Sequence, residues 1–252
     1  MPDHRPEKFD QFLMMSQPYI TNISAYNPIF FLFGTNLADS KFQISLKYRL
    51  FEPEPGRYRW LDGINFGYTQ TSFWDLRHRS LPFKDTSYKP ELFYHTTNLA
   101  GQHAAWADGL FFKGGLRHES NGRGGPDSRS TNTAYLRAYF MFYNPEKGYG
   151  LRISPLVRVY VANDDDTNAD LPDYRGYFGL HVKAGWAEGL ILASDMRWAA
   201  RGGSYTLDAT FPVRTGYMRV YFHAEYASVL AESLISYRER TRALRLGFSF
   251  VR

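Results

Sequence analysis

Residues 41–50, KFQISLKYRL, alternate without a break. Phe42, Ile44, Leu46, Tyr48 and Leu50 share one face, while Lys41, Gln43, Ser45, Lys47 and Arg49 share the other. A period of two is that of a β-strand, whose successive side chains point to opposite sides of the sheet. The pattern returns with Leu151, Ile153, Val157 and Val159 against Arg152, Ser154 and Arg158. It returns again in Phe178, Leu180, Val182, Ala184 and Trp186, in Leu207, Ala209, Phe211 and Val213, in Met218, Val220, Phe222 and Ala224, and in Leu244, Leu246, Phe248 and Phe250. These runs approach ten residues, longer than the roughly 5–6 of soluble strands and close to the ~9–11 that cross a bilayer. Polar segments at 52–56, 77–87, 121–131, 163–175 and 231–240 separate them. The count is about twelve strands, an even number as closed bacterial barrels require. The pattern predicts an all-β transmembrane antiparallel barrel filling residues 1–252 as one domain, with residues up to about 25 as an N-terminal lead-in.

Composition sharpens this picture. Aromatic residues reach 17%, and Tyr58, Trp60, Trp74, Tyr149, Trp186 and Trp198 lie near strand ends, where an interfacial girdle would sit. No apolar run approaches the ~18 residues of a spanning helix. The opening MPDHRPEKFD has no apolar core of a secretory leader and reads as a mature chain restarted at a Met. The absence of cysteine excludes disulfides, thiolate metal sites and thiol nucleophiles. The net charge of +5 comes from Lys and Arg spread over lumen faces and loops, with no basic stripe, so nucleic acid is not an expected partner. A soluble lipid- or sugar-binding barrel is the other architecture for such a chain. The band of outward Leu, Phe and Val weighs against it.

Candidate chemistry shows as polar residues on the greasy face. In 110–120, Leu110, Phe112, Gly114 and Leu116 share parity with His118 and Ser120, and Lys113, Arg117 and Glu119 point into the lumen. On the next strand Asn132 shares parity with Ala134, Leu136, Ala138 and Phe140. Unpaired polar groups facing hydrocarbon cost several kcal/mol each, so three of them together call for a mutual network or a task. Ser120, His118 and Asn132 supply a nucleophile, a base and a group to orient the base. An amide as orienter suits a lipid boundary, where a bare carboxylate is expensive to desolvate. Hydrogen bonding at the membrane edge beside a turn explains the same spacing without catalysis, and a porin-like or structural barrel remains the alternative. The connecting loop 121–131 is rich in glycine and hydroxyls, suited to oxygen ligands for Ca²⁺ and to a backbone N–H for an oxyanion, though an ordinary hairpin loop has the same composition. Gln70 shares parity with Ile64, Phe66 and Tyr68, which places an amide in the lipid-facing stripe. It is satisfied either by an identical amide across a two-fold axis or by reaching water at the rim.

The segment 118–132, HESNGRGGPDSRSTN, resembles the active-site motif of the outer-membrane phospholipase A family, H-x-S-N-G-R-x-x-P-x-S-R-S-x-N, at every fixed position. YTQTSFW at 68–74 and SLPFKDTSYKPELF at 80–93 are similar to the same family, and weaker similarity runs from Pro18 to the C-terminus. The resemblance implies calcium-dependent hydrolysis of phospholipid and lysophospholipid acyl esters (A1 and A2) at the outer membrane by a homodimer. It implies Ser120 as nucleophile, His118 as base and later acid, Asn132 as orienter, and the Gly122 N–H as one oxyanion donor. It implies calcium held by the Arg123 carbonyl and Ser128 of one subunit and Ser80 of the other, with Asp166, in an acidic run of uncertain register that also reads as a solvated loop, at a second calcium site. It places Gln70 at the dimer interface. Two positions depart from the family: Gly125 stands where relatives carry an acidic residue, and Arg252 where bacterial barrels end in an aromatic.

Overall fold

A computed structural model describes residues 22–51, 58–78, 83–100, 107–163, 165–215 and 218–252. The strands, in chain order, are β1 Ile23–Ala25, β2 Ile29–Gly34, β3 Ser40–Arg49, β4 Ile64–Trp74, β5 Phe83–His95, β6 Gly109–Ser120, β7 Ser130–Asn144, β8 Tyr149–Tyr160, β9 Phe178–Trp186, β10 Ile191–Ala199, β11 Gly202–Thr215, β12 Met218–Leu230 and β13 Arg240–Val251. Every pairing is antiparallel, and β2 pairs with both β13 and β3, which closes the sheet. Both β1 and β2 pair with β3, through Ile23↔Tyr48 and Phe30↔Gln43, so they form one broken stave of a twelve-stave barrel. The wall thus includes Ile23–Ala25, at the end of the expected lead-in.

The break has a physical cause. Pro28 cannot donate to the ladder, and the chain around it dips into the lumen. There Tyr26 stacks on Phe93 with ring centres 5.1 Å apart, and the Asn27 amide donates to Thr69 Oγ1 at 2.9 Å.

The alternation sorts the wall as the sequence predicts. Leu116, Leu136, Val157, Leu207 and Phe211 are exposed on the outside, in the band that hydrocarbon would cover. Inside, each deeply buried carboxylate finds cations. Glu91 meets Lys113 and Arg117 at 3.5 and 3.2 Å and accepts the Tyr135 hydroxyl at 2.5 Å. Glu225 meets Lys41 at 2.8 Å and Arg245 at 2.6 Å, and the same two cations hold Glu232. Removing one member of such a set strands its partner's charge and costs about 3–5 kcal/mol.

The polar segment 77–87 is shorter than the sequence suggested, since β5 begins at Phe83. Asp85 and Ser87 point inward and are fully buried, so polar residues on both faces disguised the start of a strand. The segment 163–175 carries two short helical turns, Asp165–Asn168 and Leu171–Arg175. Leu171 packs with Ala231, Leu234 and Tyr237 over one mouth of the barrel. Arg175 reaches down to Glu119 at 2.7 Å and to the Ala231 carbonyl at 3.1 Å. Gly176 ends the second turn at φ 67, where a Cβ would lie 1.7 Å from the Trp198 carbonyl oxygen. Only glycine fits there.

This plug is tied to the 231–239 loop by Asp170, which accepts from Arg238 at 3.0 Å and from the Tyr237 hydroxyl. The Arg238 guanidinium holds the Asp170 carboxyl below its ordinary value. A lowered folded-state pKa stabilises fully above the unfolded value, about 3.9, and that contribution is lost as pH falls through the folded value. The protection of the 231–239 amides, taken relative to their intrinsic exchange rates, should therefore be unchanged from pH 8 to pH 5 and fall below about pH 4, the ordinary carboxyl range. Asp170→Asn should show the lowered protection at every pH, and an unchanged protection profile in that variant would remove Asp170 as the tie.

Candidate active site

Two facing rungs of the β6–β7 hairpin build the site. The register pairs His118 with Asn132 and Ser120 with Ser130. His118 and Ser120 thus share the outer face, about 7 Å apart along the strand. His118 is exposed, while Ser120 and Asn132 are half-buried. Between them Glu119 points inward and is fixed by Arg175, which anchors the strand from the lumen side.

His118 Nδ1 and Asn132 Oδ1 lie 2.7 Å apart. The Asn132 Nδ2 donates to the Ala162 carbonyl at 3.0 Å, so the amide can turn only its oxygen toward the ring. An oxygen acceptor there requires the proton on Nδ1 and leaves Nε2 with a lone pair on the outer face. Asn163 secures this support: its Oδ1 accepts from the Asn132 backbone at 2.8 Å and from Thr131 Oγ1 at 3.0 Å. Ala162 has φ 45, a left-handed conformation that a non-glycine residue rarely adopts.

Asn121 organises the loop after Ser120. It is nearly buried, its Oδ1 accepts from the backbone of Arg123 and Arg129 at 3.3 and 3.0 Å, and its Nδ2 donates to the Asp127 carbonyl at 2.8 Å. Gly122 has φ 67, and a Cβ there would press on the Tyr88 ring at 2.8 Å. The Arg123 side chain donates to the Lys84 carbonyl and lies 3.8 Å from Asp85, which pins the loop to β5.

Among the described residues no group of three His, Asp or Glu side chains converges as a metal site. A cation at this loop would rest on carbonyl and hydroxyl oxygens. The Ser128 carbonyl is taken by Arg129 at 2.7 Å, whereas the Ser128 hydroxyl and the Arg123 carbonyl accept nothing among the described residues. Both are hard oxygen ligands of the kind calcium prefers, but calcium takes about 6–8. The donor set fits calcium and is incomplete. Ser80 lies outside the described residues, as does the side chain of Asp166. The turn that carries Asp166 is joined to the site by Asn168, whose Nδ2 donates to the Ser130 carbonyl at 2.8 Å.

Gln70 is not a lone amide. It accepts from the Tyr68 hydroxyl at 3.1 Å and donates to Ser72 Oγ at 3.2 Å, and Thr86 joins Ser72 at 3.1 Å. Tyr68 and Gln70 share the outward parity and Ser72 continues it, so the ladder runs along one face of β4. One amide hydrogen and one lone pair remain for a partner.

Beside His118 and Asn132 the outer wall carries a shallow groove of about 410 Å³, floored by Phe66, Leu92, Leu116 and Val161. It follows that an apolar chain lying in this groove would present its end to the histidine. Ala162, Asn163 and Tyr88 have no signal in the local pattern, because their roles depend on chain segments that meet only in the folded barrel, whereas Asn121 acts within its own loop through Arg123, Asp127 and Arg129.

A family model described as phospholipase A1 matches residues 13–250. The chain is 33% identical over 211 residues to a phospholipase A1 of Klebsiella pneumoniae, covering 82% of this chain and 68% of the relative. Its fold is similar to the outer membrane phospholipase dimer of Salmonella typhi solved with bound calcium (TM-score 0.74, 24% identity, 94% of this chain and 95% of the other). It is similar as well to an active-site mutant of the Escherichia coli outer membrane phospholipase A, in which an asparagine is replaced by alanine (TM-score 0.72, 25% identity, 91% of each chain).

Proposed function

The chain belongs to the phospholipase A1 family, and on that footing we propose that it hydrolyses phospholipid acyl esters with Ser120, His118 and Asn132. It is an outer-membrane β-barrel, and the reaction takes place on its lipid-facing wall. The observation that carries this reading is the 2.7 Å contact between His118 and an Asn132 whose orientation is itself fixed by Ala162. A polar edge with no chemistry to perform needs no such control of one histidine's tautomer. That weighs against a porin-like or structural barrel.

Ser120 Oγ attacks the acyl carbonyl carbon as its proton passes to His118 Nε2. The Gly122 N–H donates to the carbonyl oxygen as it becomes an oxyanion. Collapse breaks the ester bond, and His118 returns its proton to the departing glycerol oxygen. Water, deprotonated by the same nitrogen, then releases the fatty acid from Ser120. Asn132 holds the ring throughout and steadies its positive charge. Calcium, when bound, supplies positive charge beside the oxyanion; the Arg123 carbonyl and Ser128 hydroxyl would hold it with Ser80 of a second copy, and Asp166 would serve a second site.

The groove beside His118 and Asn132 is open along the wall, with no side wall to select between the two glycerol esters or to exclude the remaining ester of a lysophospholipid. This supports A1, A2 and lysophospholipase activity in one site. A homodimer would complete the calcium shell and turn the groove into a channel between two barrels, with Gln70 at the contact. Residues 1–252 are read as one barrel domain with its short lead-in.

A sulfonyl fluoride carrying an acyl-like chain should label Ser120 when calcium is present and leave it unlabelled after chelation. Labelling of other serines instead would remove Ser120 as the activated nucleophile. Gly122→Ala, whose Cβ would press on the Tyr88 ring, should displace the loop N–H and lose about a hundred-fold to a thousand-fold in kcat, the range for a lost oxyanion donor, while the barrel keeps its heat-resistant migration. Michaelis–Menten analysis in mixed micelles would read this loss, and unchanged kcat would exclude Gly122 from the role.

A further inference from the structure

The lumen holds a cavity of about 470 Å³. On one side of it three cations converge from adjacent strands: Arg137 of β7, Arg152 of β8 and Lys183 of β9, with Arg152 and Lys183 directly paired in register. Arg137 and Lys183 make no hydrogen bond and no ion pair within 4 Å among the described residues. Arg152 donates only to His181 Nδ1, at 3.3 Å, and lies over the Tyr139 ring; its Nε is buried with no acceptor. A histidine that accepts from a guanidinium is neutral at that nitrogen, so it adds no compensating charge.

The lumen's carboxylates are largely committed elsewhere. Glu91 is held by Lys113 and Arg117, Glu225 by Lys41 and Arg245, and Asp208 by His223 at 2.7 Å. Asp195 stands opposite His181 across the β9–β10 ladder. Three confined cations with one uncommitted carboxylate on the same wall repel one another in a low-dielectric interior. The buried carboxylates Glu91, Glu119 and Glu225, by contrast, each hold a cation within 4 Å.

We propose that this cluster is a binding site for a phosphoryl dianion, either inorganic phosphate or a small phosphomonoester. Two guanidiniums and an ammonium facing one cavity match a tetrahedral oxyanion: the planar forks each offer paired donors, and the lysine offers a point charge. The orphan Nε of Arg152 is one such donor waiting for an acceptor. The site is separate from the lipid-facing triad, since it lies inside the wall that carries Ser120 on its outside.

The full chain folded in detergent, with calcium chelated, tests this. Its unfolding midpoint is measured in sodium phosphate, sodium glycerol 3-phosphate and sodium chloride at matched ionic strength and pH. A saturable rise in phosphate or glycerol 3-phosphate that chloride does not give is expected. A rise with both assigns the site to the phosphoryl group, and a rise with glycerol 3-phosphate alone assigns it to organic monoesters. Equal midpoints in all three salts overturn the proposal. Arg152→Gln combined with Lys183→Gln should abolish the phosphate-specific rise while unfolding no earlier than the parent in chloride, because a repulsion has been removed. Phosphorus NMR of inorganic phosphate on the parent alone gives a second reading that does not depend on the variants folding. A line broadened by the parent supports the site, and a line left sharp at stoichiometric protein overturns it.

Discussion

Ser120→Ala is expected to hydrolyse phospholipid at about one ten-thousandth of the parent rate or less, the loss seen when a hydrolase triad loses its nucleophile. His118→Ala should fall as far, and the double variant little further, because the two groups act as one unit. Neither change should disturb the barrel. His118 is exposed on the outer face, and the strand between the two residues is held from the other side by Glu119 and Arg175. Asn132→Ala should keep a measurable residue of activity, since nucleophile and base remain while the ring loses its fixed tautomer. The measurement is ester hydrolysis in calcium-containing mixed micelles, run beside heat-resistant electrophoretic migration as a check on folding. A fully active Ser120→Ala protein would sink the mechanism. A variant that loses heat resistance along with activity would instead mark that side chain as structural.

The wall and the placement of His118, Ser120 and Asn132 on one outer face were legible in the sequence for the same reason. A strict period of two states which face each residue takes, and a hairpin states which residues meet across it. Thus His118 and Asn132, on consecutive strands, needed only correct parity to be read as neighbours. Features that depend on distant segments were not legible. Asn163 reaches Asn132 from the far end of β8, and Arg175 reaches Glu119 from a helical turn 56 residues away in the chain. No local pattern announces either contact. The start of β5 was hidden because Asp85 and Ser87 line the lumen beside outward polar residues, and a strand polar on both faces looks like a loop. Gln70 shows a third kind of limit. Its parity places it on the lipid face, but parity alone does not say that Tyr68 and Ser72 on that face hold the amide.

That ladder bears on how two barrels would meet. An amide already held by Tyr68 and Ser72 enters a contact with its rotamer fixed, so less side-chain entropy is lost on association than for a free glutamine. Hydrogen bonds between membrane segments are worth about 1 kcal/mol, and Gln70→Ala should weaken association by roughly that amount. Replacing Tyr68 by Phe should weaken it less, because the Ser72 contact still holds the amide.

Chelation of calcium should silence the parent enzyme about as thoroughly as loss of an oxyanion donor, by about a hundred-fold or more, without unfolding the barrel. The reason lies in the donor set. Within one chain the described loop offers the Arg123 carbonyl and the Ser128 hydroxyl, two oxygens where calcium takes about 6–8. If Ser80 of a second copy adds to them, the dimer binds calcium better than the monomer. Linkage then requires that calcium tighten the dimer by the same factor as the dimer tightens calcium. Dilution into excess detergent should therefore abolish activity, and added calcium should move the midpoint of that loss to lower protein concentration. Sharing predicts complementation as well. A Ser120→Ala barrel still offers its Ser80, and a Ser80→Ala barrel still has its own triad, so a mixture of the two inactive proteins should recover activity in mixed dimers. Sedimentation velocity run beside the assay distinguishes the outcomes. A calcium-saturated monomer hydrolysing phospholipid at the full rate would refute the shared site while leaving Ser120, His118 and Asn132 in their roles.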